Sequence, residues 1–263
     1  MKLLKVLLTN NDCYRRGKTI VPKGIMWHST AADNPYIKRY VQPDVEGIGY
    51  NKYKNDWNHP GVKVCVHAFI GKLKNGEMAV VQTLPWNHRG WHCAADANNT
   101  HIAFEMCEDD RNHKEYFMQC WRNAVELTAM LCTKYGLDPL ADGVVIDHKE
   151  GHDRGIASNH GDIQHWSRRF GKTMDDARRE VDFYMKHGYH EGEEPKMEEK
   201  RYHTVGDLKA DETALQYYWP TIEKLIQRGV IKGAGGTGDK MILDLGSDSI
   251  RLLVYLDRAR TFD

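Results

Sequence analysis

The chain has 263 residues, 41% hydrophobic and 28% charged, with 37 Lys+Arg against 37 Asp+Glu for a formal net charge of zero. A prior of about 150 residues per domain gives roughly 1.8 domains, so a second module is expected. The composition excludes a disordered chain, and the balanced charge lacks the positive field that binds a phosphate backbone, so nucleic acid is not the expected partner.

Residues Met1 to Leu8 (MKLLKVLL) begin like a signal peptide, but Lys5 interrupts the run and Asn10-Asn11-Asp12 end it. No stretch approaches the roughly 18 apolar residues of a membrane helix. The expectation is a soluble protein made in the cytoplasm without a signal peptide, reaching any outside target after release, with no membrane insertion. Cysteines 13, 65, 93, 107, 120 and 132 contain no C-x-x-C pair. They read as mostly buried thiols in a reduced compartment rather than a disulfide scaffold.

Along the chain, Gly24-Ile25-Met26-Trp27 is apolar and delivers His28. Residues 62–70 (VKVCVHAFI) alternate as a strand with Val62, Val64, Val66, Ala68 and Ile70 on one side and His67 on the other. Met78 to Gln82 reads as its partner across a turn containing Asn75-Gly76. Ile102 to Cys107 (IAFEMC) is a strand with Glu105 projecting from its middle, and a carboxylate in an apolar strand needs a reason. From Phe117, the positions Cys120, Trp121, Ala124, Leu127 and Leu131 follow the stripe of a helix that Gly136 ends. Val144-Val145-Ile146 is a short buried strand leading to His148. Strands alternating with a long helix indicate an α/β fold with a central mixed sheet flanked by helices.

Charge is dense and periodicity vanishes near residues 190–201 (HEGEEPKMEEKR). Residues 191–202 are read as a linker between a domain at 1–190 and a module at 203–263. In that module, Trp219, Ile222, Leu225 and Ile226 mark one helix, and Ser247-Asp248-Ser249 cap a second that carries Ile250, Leu252, Leu253, Tyr255 and Leu256. The expectation is a small helical hairpin. Its G-V-I-K-G segment is distantly similar to S-layer homology modules, which bind cell-wall polymers. A core this small is marginal alone, which suggests self-association or docking, with a role in wall anchoring or as a homo-oligomer contact.

Fourteen histidines are many for a neutral chain. His28, His148 and His160 sit where strands end or loops turn, where a neutral imidazole can coordinate a metal. His152, His165, His187 and His190 have no such placement and are read as solvated. Asn112-His113 and Asn159-His160 faintly suggest a nuclease motif, which the charge balance and the missing ββα pattern argue against.

Ile25-Met26-Trp27-His28-Ser29-Thr30-Ala31-Ala32-Asp33 resembles the I-x-x-H-N/S-T-A-x-D segment of the zinc-dependent N-acetylmuramoyl-L-alanine amidases of phage and prophage endolysins, relatives of peptidoglycan recognition proteins. Val66-His67-Ala68, Val80-Val81-Gln82, Gly90-Trp91-His92 and Ile102-Ala103-Phe104-Glu105-Met106-Cys107 resemble four further segments of that family in the same order. The resemblance covers about residues 20 to 170. It implies a zinc ion on His28 and His148, peptidoglycan as substrate, and a third ligand after His148.

Asp162 is the natural third ligand, 162 − 148 = 14 positions on, with Asn159 or His160 as alternatives. That spacing is longer than the family's, no Pro follows, and His160 stands where the family often has Lys or Thr. Glu105, on the cleft side of its strand, can carry the proton of an attacking water, His160 can stabilise the tetrahedral oxyanion, and His67, Trp91 and His92 either line a substrate groove or pack beneath it. Two imidazoles and a carboxylate leave a fourth zinc position for water. A peptidoglycan-binding module that kept the fold and lost catalysis is the alternative, with the third ligand as the discriminating feature.

Overall fold

A computed structural model describes residues 1–109, 112–188, 201–211, 214–215 and 218–258. The chain divides into two compact units, 1–193 and 194–263. Among the described residues no helix is long and apolar enough to cross a membrane.

The first unit is built on a six-stranded mixed sheet in the order β1-β4-β3-β5-β2-β6. Its strands are β1 (Leu3–Lys5), β2 (Gly24–Ser29), β3 (Ala68–Lys72), β4 (Met78–Gln82), β5 (His101–Met106) and β6 (Val145–Asp147). β5, β2 and β6 run parallel, β3 is parallel to β5, and β3 and β4 form the antiparallel hairpin that Asn75-Gly76 announces. Helix α1 (Asp12–Arg16) follows β1, and α2 (Lys114–Tyr135) ends at Gly136 in the left-handed conformation (φ 64°). After β6 come α3 (His148–Asp153), α4 (Gln164–Ser167) and α5 (Met174–His187).

The sheet is buried on both sides, as parallel strands require. On one face Ile25, Trp27, Ile102, Phe104, Ala68 and Ile70 pack against Phe117, Trp121, Ala124 and Leu131 of α2. The rings of Trp27 and Trp121 meet edge-on at 5.1 Å, and Trp27 Nε1 donates to Thr128 Oγ1 at 3.0 Å. On the other face Met26, Ala103, Phe69 and Val81 pack beneath the irregular segment that carries Ile37, Tyr40, Val41 and Ile48. Among the described residues that second face has no long helix over it, and the polar residues that follow Met26 and Ala103 lie on this side.

The strand expected from Val62 begins only at Ala68. Val64 is 45% exposed, Val66 packs on the opposite side of the sheet from Ala68 and Ile70, and Cys65 pairs its backbone with Trp91 instead of joining the ladder. Cys65 is also bonded to Cys13, 52 positions away, which corrects the expectation of free thiols at these two positions. Cys93, Cys107, Cys120 and Cys132 are buried and free.

The second unit is not a helical hairpin alone. Strands β7 (Arg201–Thr204) and β8 (Ile242–Gly246) pair antiparallel, with α6 (Val205–Ala210), α7 (Trp219–Gln227) and α8 (Ser247–Arg258) beside them. β8 alternates, with Leu243 and Leu245 turned to a core of Tyr202, Leu208, Ala214, Ile222 and Ile250. Its partner β7 starts at the residues read as the linker's end. The rest of that linker, with His190, lies outside the described residues.

Gly24 marks the tightest point of the sheet. A Cβ there would lie 2.5 Å from the Val144 carbonyl and 2.6 Å from His101 Nε2, so backbone on one side and a ring on the other leave no room. Gly24→Ala is expected to cost about 1–3 kcal/mol of unfolding free energy, whereas Val21→Ala at a 78% exposed position stays within about 0.5 kcal/mol. Urea-unfolding midpoints of the two variants check this.

Candidate metal centre

The parallel register sets His28 of β2 opposite Glu105 of β5, and Trp27 opposite Asp147 of β6. Directly opposed residues share a face, so His28 and Glu105 project side by side on the face away from α2. His148 follows Asp147 as the first residue of α3. Asp147 caps that helix, its Oδ1 accepting from the Glu150 amide at 2.7 Å, while its Oδ2 accepts from Gln164 Nε2 at 2.8 Å. One buried carboxylate thus fixes the turn that presents His148 and tethers the segment that carries Asp162.

Asp162 Oδ2 lies 2.7 Å from His28 Nδ1 and 2.8 Å from His148 Nδ1, and the two Nδ1 atoms are 3.2 Å apart. These three side chains form the one group among the described residues with metal-ligand geometry, each offering an atom within 4.8 Å of the others. Tetrahedral zinc with bonds near 2.1 Å separates its ligands by about 3.4 Å, so the triangle fits the ion once it opens by about half an ångström. Asn159 and His160 stand outside it, both exposed.

The far ring nitrogens are also held, as ligating imidazoles require. His28 Nε2 is 3.1 Å from His92 Nδ1, and His148 Nε2 is 3.1 Å from Ser158 Oγ, which in turn is 3.0 Å from His160 Nδ1. Burial lowers the His28 pKa against the opposing pull of Asp162. Burial also holds His92 well below its ordinary value, with the neighbouring histidines adding to the effect. Neutral imidazole is the metal-binding form. Burial pushes the Asp162 carboxyl up, but hydrogen bonds from His148 and His28 outweigh it and keep the group ionised.

Glu105 has the opposite environment. Its Oε2 is buried without a hydrogen-bond partner, and its pKa stands well above the ordinary value because of burial first, then the charges of Asp162 and Glu108. The His160 ring lies tilted against that of His148, with centroids 4.9 Å apart.

The three expected groove residues separate. Trp91 is 39% exposed, and His92 stands against His28 with its Nε2 buried and unpartnered. His67 is 0% exposed: the Ala103 amide donates to its Nδ1 at 3.0 Å and its Nε2 donates to the His88 carbonyl at 2.7 Å. Both nitrogens of His67 are therefore spent on backbone, and the ring staples the 88–91 segment to β5.

Sequence reasoning missed Ser158, Asp147, Glu108 and His165. Glu108 is 0% exposed and accepts from Ser29 Oγ at 2.7 Å, from the Ala31 amide at 3.0 Å and from His165 Nε2 at 3.0 Å. His165 is thus engaged, not solvated. The buried acid at the end of an apolar strand was the available signal for Glu108. Nothing local marks Ser158.

A family model described as N-acetylmuramoyl-L-alanine amidase matches residues 17–166, more than half of the chain and inclusive of His28, Glu105, His148 and Asp162. The chain belongs to this family. It is a peptidoglycan hydrolase that cleaves N-acetylmuramoyl-L-alanine amides. A search of curated proteins returns no match. Among solved structures, the amidase is similar to Staphylococcus aureus hydrolase AmiA in complex with its ligand, at 21% identity and TM-score 0.52, over 72% of this chain and 86% of that one. It is also similar to a mutant of PlyL, at 19% identity and TM-score 0.50, over 69% of this chain and 99% of the other. At these identities the likeness concerns the fold.

His67 makes the amidase acid-sensitive. Burial lowers its pKa to about 4 from an ordinary 6.5, so between those values the unfolded chain binds a proton that the native one refuses. Stability is full above pH 6.5 and falls on acidification toward pH 4, by about 3 kcal/mol from this residue. In urea unfolding at pH 7.5 and pH 5, His67→Gln is expected to be less stable at pH 7.5 but to show a shallower acid loss than the parent. Equal slopes would remove His67 as the source.

Proposed function

We propose that the amidase is a zinc enzyme of the endolysin type, holding the ion on His28, His148 and Asp162 and cleaving the bond between the lactyl group of N-acetylmuramic acid and L-alanine. The convergence of two Nδ1 atoms and one carboxylate oxygen beside an unpartnered buried glutamate carries this reading. Bound there, zinc would supply Lewis acidity, bringing the pKa of water from 15.7 to about 7 and polarising the scissile carbonyl.

The chain's own groups account for the proton movements. Glu105, on the same face as His28, takes a proton from the water that adds to the amide carbon. Its desolvated carboxyl then returns that proton to the nitrogen as the carbon–nitrogen bond breaks, leaving a lactyl carboxylate and a free alanine amino group. His160, with Nδ1 turned to Ser158, offers Nε2 to the tetrahedral oxyanion. His92 and Ser158 orient the two imidazoles, and Trp91 offers an exposed ring to the substrate. The resemblance of the motif series to phage and prophage enzymes supports action on the wall after release from the producing cell.

Purified walls treated with the protein are expected to yield new amino-terminal alanine, and a chelator to abolish it. New reducing sugar ends instead would indicate a glycosidase. Glu105→Gln is expected to keep its zinc and lose about 10²–10⁴-fold in turnover. Asp162→Ala should lose the zinc itself, whereas Asn159→Ala should retain it; metal counts on the purified variants separate the candidates.

For residues 203–263 the reading is wall anchoring or self-association. Its surface exposes Leu215, Val230, Ile242 and Leu252, at 44%, 52%, 42% and 58%, apolar side chains that a wall polymer or a second copy would cover. Removing 203–263 is expected to change the sedimentation behaviour or the wall binding of the protein. If both stay the same, neither role stands.

A further inference from the structure

A second concave site lies on the first unit, with Trp91 in its wall. It is a cavity of about 460 Å³ into which Arg16, Lys18, Lys63 and Arg89 all project, beside the single carboxylate of Asp12 and the ring of Trp91. The cations come from three separate stretches: the end of α1, the approach to Cys65, and the 88–91 segment that His67 staples to the sheet. The Cys13–Cys65 bond joins the first two walls covalently, and the paired backbones of Cys65 and Trp91 join the second to the third.

The charges in this cavity are uncompensated. Asp12 spends its Oδ1 on the Gly61 amide at 3.0 Å. Arg16, Lys18 and Lys63 have no carboxylate partner among the described residues, although the protein as a whole is neutral. Arg89 is set in place by donation from Nε to Asn99 Oδ1 at 2.6 Å, and its guanidinium lies 5.0 Å from the centre of the Trp91 ring. Like charges gathered without counter-charges repel one another, so this arrangement costs stability unless an anion occupies it.

We propose that this cavity binds a phosphodiester-linked polyol or sugar polymer attached to the peptidoglycan. Four cations against one carboxylate match closely spaced full charges along a chain better than the isolated carboxylates of a stem peptide. The 39% exposed Trp91 ring offers the flat apolar surface on which a sugar or polyol face rests between phosphates. Trp91 adjoins His92, which touches His28. The cavity therefore sits beside the metal centre, and a wall polymer held there keeps the enzyme on its substrate. The choice of a wall polymer rests on the function proposed above; the binding assay below does not require hydrolysis.

The test uses the full-length, zinc-loaded protein and its Arg16→Ala/Lys63→Ala double variant, both positions lying outside the catalytic groups. Binding is measured to intact walls and to walls freed of phosphodiester polymers with hydrofluoric acid, with a glycerol phosphate oligomer as competitor. The double variant is expected to lose roughly tenfold in affinity for intact walls and to show a weaker salt dependence. Parent and variant should bind stripped walls alike, the oligomer should displace the parent, and turnover of a soluble muropeptide should be the same for both. Equal binding of parent and variant to intact walls overturns the proposal. So does a variant defect that persists on stripped walls, which would assign the cavity to stem-peptide carboxylates. Should the parent release no alanine amino termini while these binding differences hold, the amidase mechanism fails and the cavity's ligand stands.

Discussion

The register of β5 against β2 and of β2 against β6 is the constraint on which the site depends. Slipping a strand by one residue moves every side chain to the other face. Here a one-residue slip of β2 would drive His28 under α2 and bring Trp27 out into the cleft. Burial on both faces prevents it: Ile25 and Trp27 pack toward α2 while Met26 packs on the other side, each 0% exposed. The hydrogen bond from Trp27 to Thr128 fixes the residue next to His28. An apolar strand that turns polar only at its final residues thus sets the His28 imidazole by packing, before any electrostatic term enters.

The two glutamates at the end of β5 show how the same fold separates structure from reactivity. Glu108 is fully buried, yet a hydroxyl, a backbone amide and an imidazole all reach its oxygens. Glu105, three residues earlier, is less buried but keeps one oxygen with no partner. A buried polar atom without a partner costs free energy, so Glu108 holds β2, β5 and α4 together while Glu105 is held at a disadvantage that proton transfer can relieve. Local instability tolerated at one atom is what the surrounding bonded network, Asp147 and Glu108 above all, makes affordable.

Much of this was legible in the sequence because strands announce themselves by alternation. The apolar runs before His28 and His148, and the carboxylate inside Ile102–Cys107, placed three of the four central groups on strands or strand ends, and only the resemblance gave them their roles. Asp162 came from resemblance, since no periodic element carries it. The failures share a physical cause, which is long range. Cys13 and Cys65 are 52 positions apart, and β7 pairs with β8 some 40 residues later, so neither pairing leaves a local signature. The alternation from Val62 to Val66 is real as a pattern, but this stretch stays out of the ladder and Cys65 pairs with Trp91, which no window of sequence contains. His67 lies just before β3, and only the backbone groups of His88 and Ala103 reveal that its nitrogens are already committed.

The 14-residue interval between His148 and Asp162 raises the question of how a loop residue can be placed as accurately as one on a strand. Loop length sets the entropy of closure, which grows only slowly with length; placement depends on what holds the residues next to the ligand. On one side of Asp162, the Ser158 amide donates to the Cys93 carbonyl at 2.9 Å. On the other, Ile163 is 1% exposed in the main core, Gln164 donates to Asp147, and His165 to Glu108. Trp166, 0% exposed, packs edge-on against Phe117 of α2 at 4.9 Å. The short helix α4 is therefore a plug inserted between the ends of β5 and β6, and Asp162 is the residue at its rim. A carboxylate held that way needs no regular element of its own, and the intervening loop is free to lengthen without moving Asp162.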